Sequence, residues 1–156
     1  MTTTPITIER ANSSAIAGAP TAQNAAVQFN INYPAGWATA NFHKIRIHNI
    51  TATAELSTTG DMGFDLNFFG KDTYQSTGVD TTAEDFMGSV SFAMSDSELI
   101  TGSAMFRYTK DLADSPMFYE DLDMSGEVHV SLVVRTATDF AAADSIKITL
   151  MVEPIF

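Results

Sequence analysis

Strict alternation of apolar and polar residues is the feature that most limits what this chain can become. In the run 128–134 the apolar positions are Val128, Val130, Leu132 and Val134, and in 146–152 they are Ile146, Ile148, Leu150 and Val152. A repeat of two sends every second side chain to the same side of an extended backbone, whereas a helix would need a repeat of about 3.6. The same pattern recurs in Val27, Phe29, Ile31 and Tyr33, in Met62, Phe64, Leu66 and Phe68, in Val90, Phe92 and Met94, and in Ala104, Phe106 and Tyr108. With Ile6 and Ile8 near the start and the stretch 45–56, eight strands are predicted. The expected fold is all-β: an antiparallel β-sandwich or jelly roll of about eight strands with an extended N-terminal arm, one face of each sheet toward solvent.

One stretch changes phase. Ile45 and Ile47 are odd, while Ile50, Ala52, Ala54 and Leu56 are even. A strand cannot move its apolar set to the other face without an extra residue, so a β-bulge or a sharp bend between sheets is predicted at His48 and Asn49. Helix signals are few. Thr81 and Glu84 have capping-box spacing ahead of Asp85, Phe86 and Met87, and 137–144 has the composition for one or two turns.

At 156 residues the chain suits one core. Two parts are expected within it: residues 1–26 as an N-terminal strand and arm, and 27–156 as the sandwich. The arm segment 11–26 is small, polar and short of bulky anchors, so ordering it requires contacts with the fold or a neighbouring chain. Cysteine is absent, which removes disulfides, thiolate metal sites and a cysteine nucleophile. The net charge of -11 repels phosphate backbones, arguing against nucleic acid or an anionic membrane as partner. The opening "MTTTPITIER" has no basic segment followed by an apolar run, so synthesis in a cytoplasm without export is expected.

The densest concentration of acids is "FYEDLDMSGEVHV", 118–130, with Glu120, Asp121, Asp123 and Glu127. Asp121, Asp123, Ser125 and Gly126 match the first, third, fifth and sixth positions of a calcium-binding loop, but the twelfth, which should be glutamate, is Leu132. The expectation is a metal-free, hydrated turn ending at Gly126 and feeding a strand. No catalytic residue is assigned: there is no nucleophile elbow, and His43, His48 and His129 have no motif partner. No cofactor is expected either.

In "FHKIRIH", 42–48, an extended backbone places Lys44, Arg46 and His48 on one face opposite Ile45 and Ile47. Such a cationic row on an acidic protein either pairs with its own acids across strands or meets an acidic partner surface. Trp37, the single tryptophan, lies in the connection "YPAGWATANF". It either plugs one end of the sandwich or, in a carbohydrate-binding or receptor-binding module, stacks on a sugar.

The Thr-rich opening strand 2–10, the small-residue arm 11–26, the sandwich strands and the apolar end "MVEPIF" together resemble the capsid decoration, or cement, proteins of tailed bacteriophages. The resemblance implies a virion structural protein on the capsid surface, bound in many copies to the capsid protein and associated with its own copies as a trimer or dimer, and without enzymatic activity. No motif carries a site residue across. Lys44, Arg46, His48, Ile155 and Phe156 are the residues expected at an interface.

Overall fold

The computed structural model describes residues 6–12, 26–37, 42–55, 63–72, 84–101, 105–135 and 145–155. Nearly every described segment is extended. The strands are β1 (Ile6–Asn12), β2 (Ala26–Asn32), β3 (Lys44–Glu55), β4 (Phe64–Phe69), β5 (Phe86–Phe92), β6 (Ser97–Thr101), β7 (Met105–Asp111), β8 (Met117–Glu120), β9 (Glu127–Val134) and β10 (Ser145–Pro154). They form two antiparallel sheets. The larger runs β1-β10-β3-β7-β6 with β8 also on β3, and the smaller runs β2-β9-β4-β5.

The eight strands expected from alternation are all present, and β6 and β8 are additional. Setting those two aside, the first strand pairs the last, the second the next to last, and so inward: β1 with β10, β2 with β9, β3 with β7, β4 with β5. One long antiparallel hairpin rolled onto itself gives this set of pairs, which defines the jelly roll. The arm residues 13–25, the segment 137–144 and Thr81 lie outside the described residues. Strand β1, from the N-terminal segment, is an edge of the larger sheet through its pairing with β10.

The phase change is a bulge within one strand. Met151 faces Asn49 and Val152 faces Ile47, so His48 is the extra residue of β3. Ile45, Ile47, Ile50, Ala52 and Ala54 are consequently all buried on one side. The bulge also divides the partners of β3. Lys44–Ile47 pair with β8 and Asn49–Glu55 with β7, while the His48 carbonyl accepts the Leu112 N–H of the β7–β8 connection at 2.8 Å.

The core lies between the sheets. Val128, Val130, Leu132 and Val134 of β9 oppose Ile146, Ile148, Leu150 and Val152 of β10, with Phe64, Leu66, Phe68 and Phe92 filling between. Each such side chain contributes about 1.5–3 kcal/mol by leaving water. Phe64 and Phe92 stack at 4.8 Å, and Tyr108 meets Phe64 edge-on at 5.4 Å.

Two expectations are corrected. Phe86 and Met87 open strand β5 and are not the start of a helix; the described 3-10 turn is Met94–Asp96, so Met94 lies beyond β5. Second, the outer face of the smaller sheet is not wet along β9. His129, Ser131 and Val133 are buried as well as the inner set, and so are Asn67 and Phe69 on β4. Polar residues at alternate positions signalled solvent, but Ser131 and Asn67, which lie side by side in register, are both buried.

Candidate functional site

The acidic stretch forms the tight connection between β8 and β9, at the end where β2 and β4 also terminate. The Asp121 N–H donates to the His43 carbonyl and the Leu122 N–H to the Gly70 carbonyl, each at 2.7 Å, which fastens the turn to both sheets. Left-handed backbone at Met124 (φ 56) and Gly126 (φ 80) then reverses the chain. Inside the turn the Asp121 carboxylate accepts the Gly126 N–H at 2.7 Å and the Ser125 hydroxyl at 3.3 Å. Asp123 accepts the Ser125 N–H at 3.3 Å and the Asp72 N–H at 3.1 Å. A turn ending at Gly126 was expected, but it is not uniformly hydrated: Asp121 is 1% exposed.

His129, two residues into β9, sits beneath this turn and is fully buried. Its Nε2 is 3.2 Å from Asp123 Oδ1, 3.2 Å from Ser125 Oγ and 3.9 Å from Asp121 Oδ1. On the other side, Nδ1 is 3.1 Å from Asn30 Oδ1. Asn30 is itself oriented, because its Nδ2 donates to Glu127 Oε2 at 2.8 Å. Tyr119 completes the frame from β8. Its hydroxyl donates toward the carbonyls of Phe69 at 2.9 Å and Glu127 at 3.2 Å, and accepts the His129 N–H at 3.0 Å.

The two carboxyls differ in character. Burial holds Asp121 above the usual carboxylate range, and the neighbouring Asp123 raises it further. Burial also opposes the ionisation of Asp123, but hydrogen bonds from Asp121, the Asp72 N–H, His129 and Ser125 outweigh it and hold Asp123 well below the usual range. Burial, then the charge of Asp121, pushes the Tyr33 hydroxyl up, and that hydroxyl has no hydrogen-bond partner among the described residues. The arrangement is unsuited to nucleophilic catalysis although Ser125 and His129 are adjacent. The Ser125 hydroxyl is directed to Asp121, and the imidazole nitrogen that would take its proton also faces Asp123.

Alternation could not find this cluster. It marked His129 as an outward-facing position, and the approach of Asn30 and Asp72, 99 and 57 residues away in sequence, depends on the roll of the sheets. The only sequence signal was the acid density of 118–127.

The residues expected at an interface lie elsewhere, on the outer face of the larger sheet. Lys44 Nζ is 3.5 Å from Glu120, and His48 Nε2 is 2.9 Å from Glu153, so cross-strand pairing engages both. Arg46 is exposed, between Phe118 of β8 and Glu153 of β10 in the register. Ile155 extends the β10–β3 contact, its N–H donating to the Lys44 carbonyl at 2.9 Å. Phe156 lies outside the described residues. Trp37 belongs neither to the turn cluster nor to this outer face. It packs against the core, edge-on to Tyr33 at 5.7 Å and to Phe42 at 6.0 Å.

No protein-family model matches the chain, and no curated protein matches it. Solved structures similar to it include that of tomato aspermy virus, at 12% identity over 99% of this chain and 79% of that one, with a TM-score of 0.43. The decameric BFDV capsid protein follows at 14% identity, 97% and 98% coverage and a TM-score of 0.32. The empty head of turnip yellow mosaic virus gives 9%, 100%, 85% and 0.31. With TM-scores below 0.5 these likenesses decide nothing about function, which has to be read from the chain's own surface.

Proposed function

We propose that this chain is a virion structural protein that binds the outside of a capsid shell in many copies and stabilises it, with other copies of itself as dimer or trimer partners. The fold is compatible with that role, since jelly rolls serve as viral capsid domains, but they also serve as lectins, and fold alone does not assign function. The observation that carries the reading is the outer face of the larger sheet. Phe118 is 46% exposed and Met151 42% exposed, and the register sets them around Arg46 and Glu153 on three neighbouring strands. The Lys44–Glu120 and His48–Glu153 pairs border them. Exposed Phe, Met and Arg within a frame of satisfied ion pairs is the composition of a protein interface, with an apolar centre and a polar rim. Ile155 continues this face, and the N-terminal arm within residues 1–26 is proposed as a second anchor on a neighbouring subunit.

The experiment is co-sedimentation with purified candidate shells, alongside sedimentation velocity of the protein alone. Phe118→Ser with Met151→Ser should leave the melting temperature within a few degrees, because both side chains are already exposed, and should abolish co-sedimentation or self-association. Unchanged assembly by the double variant would remove this face from the proposal. The carbohydrate reading gains no support from Trp37, whose ring is engaged with Tyr33 and Phe42. A glycan array returning a specific sugar, with no shell bound, would reinstate it.

A further inference from the structure

Three side chains able to ligate a metal, two carboxylates and an imidazole, meet at the 121–126 turn. Ligand atoms of Asp121, Asp123 and His129 all lie within 4.8 Å of one another, and His129 Nε2 is 3.2 Å and 3.9 Å from the two carboxylate oxygens. Two donors bound at about 2.1 Å to a tetrahedral ion lie about 3.4 Å apart, so the two imidazole–carboxylate separations bracket the spacing that a shared ion requires.

Two further observations outside the acidic pair favour a cation. The first is the orientation of the imidazole. Because Asn30 gives its Nδ2 to Glu127, its Oδ1 faces His129 Nδ1 and takes the Nδ1–H, which leaves Nε2, the nitrogen that faces the carboxylates, as the one that would give up its proton to an ion. An imidazole whose distal N–H is held by a fixed acceptor is how metal-ligating histidines are oriented. The second is Tyr33. It is 7% exposed, its hydroxyl has no hydrogen-bond partner among the described residues, its own N–H donates to the Gly126 carbonyl of the turn, and it lies within the field of Asp121. A buried hydroxyl left open within the field of Asp121 leaves polar capacity near the turn unfilled.

We propose that Asp121, Asp123 and His129 hold one divalent transition-metal ion, with Asn30 as the residue that positions His129. Two carboxylates and an imidazole suit zinc or manganese; calcium, which takes oxygen ligands only, is disfavoured by His129. The ion would tie the turn to β9 and, through the Asp72 N–H on Asp123, to the end of β4. This site is independent of the proposed shell-binding face.

The test is titration of the EDTA-stripped full chain with zinc chloride, and separately with manganese chloride, followed by calorimetry and thermal melting. Zinc or manganese should bind at one ion per chain and raise the melting temperature by several degrees, with calcium giving less at equal concentration. Asp123→Asn, whose metal-free form is compared by its own melting temperature, should weaken binding at least tenfold; His129→Gln should abolish it. Should His129→Gln fail to fold, the wild-type stoichiometry and Asp123→Asn still decide. Absence of binding by the wild type up to millimolar metal would overturn the site, as would binding that Asp123→Asn leaves unchanged.

Discussion

His48 and Glu153 meet at 2.9 Å at the point where β3 carries one residue more than β10. The bulge turns both His48 and Asn49 outward, and the acid two residues after Met151 reaches back to the extra one. A local irregularity thereby keeps Ile45 and Ile47 in the same core as Ile50, Ala52 and Ala54.

Deleting His48 should for that reason be far worse than replacing it. Removal of the extra residue forces either Ile45 and Ile47 or the later inward set to the solvent side, and exposing two isoleucines alone costs about 3–6 kcal/mol. That is comparable with the whole stability of many domains, so no cooperative urea transition is expected from the deletion variant. His48→Gln keeps the bulge and should lose about 1 kcal/mol or less. Equal stability of the two variants would show that the bulge does not set the phase of β3.

Val130 faces the sandwich interior and is fully buried between Phe29 and Phe68 in the register. Val130→Asp places an unpaired charge there and should prevent folding, because the penalty of several kcal/mol has no compensating partner. A soluble Val130→Asp protein with the wild-type melting temperature would contradict the core assignment.

Strands were legible in the sequence because burial of one face writes a period of two into the residues themselves, and the bulge was legible because it breaks that period. β6 and β8 were not, since five and four residues with Glu98, Ser97 and Glu120 among them carry too few apolar positions to establish a period. The pairing order could not be read at all: nothing local in β1 indicates that its partner is β10. The cluster at His129 was hidden for the same reason. Its parts come from β2, the end of β4, the 121–126 turn and β9, and only the turn is continuous in sequence. The outer face of β9 misled, because His129 and Ser131 have solvent-like polarity and are nevertheless buried.

Gly70 should resist any side chain. A Cβ there would lie 2.7 Å from Met87 Cε, 2.8 Å from the Glu120 carbonyl oxygen and 2.8 Å from Leu122 Cδ1. Methionine and leucine ends can move, but the Glu120 oxygen belongs to the strand that leads into the turn. Gly70→Ala is expected to cost about 1–3 kcal/mol by overpacking, measured as a lower urea midpoint with an unchanged slope. A midpoint equal to the wild type would mean that β8 yields freely at this contact.

Asp96 supplies a pH-dependent contribution with a definite sign. Its carboxylate lies 2.8 Å from Lys110 Nζ and accepts the Ala93 N–H at 2.8 Å, and these two contacts, the lysine first, lower its pKa from the ordinary 3.8. A carboxyl whose folded pKa is lowered stabilises the fold fully above its unfolded value, and that stabilisation disappears as the pH falls through the folded value. Asp96→Asn retains an oxygen for the Ala93 N–H but loses the charge opposite Lys110. Allowing for solvent screening at this partly exposed site, the variant should be about 0.5–1 kcal/mol less stable than wild type at pH 7. The difference should shrink as the pH falls below the unfolded value of 3.8 and through the lower folded one, followed by urea titration at each pH. A deficit that is the same at pH 2 as at pH 7 would mean that the substitution acts through packing rather than through the ionised carboxylate.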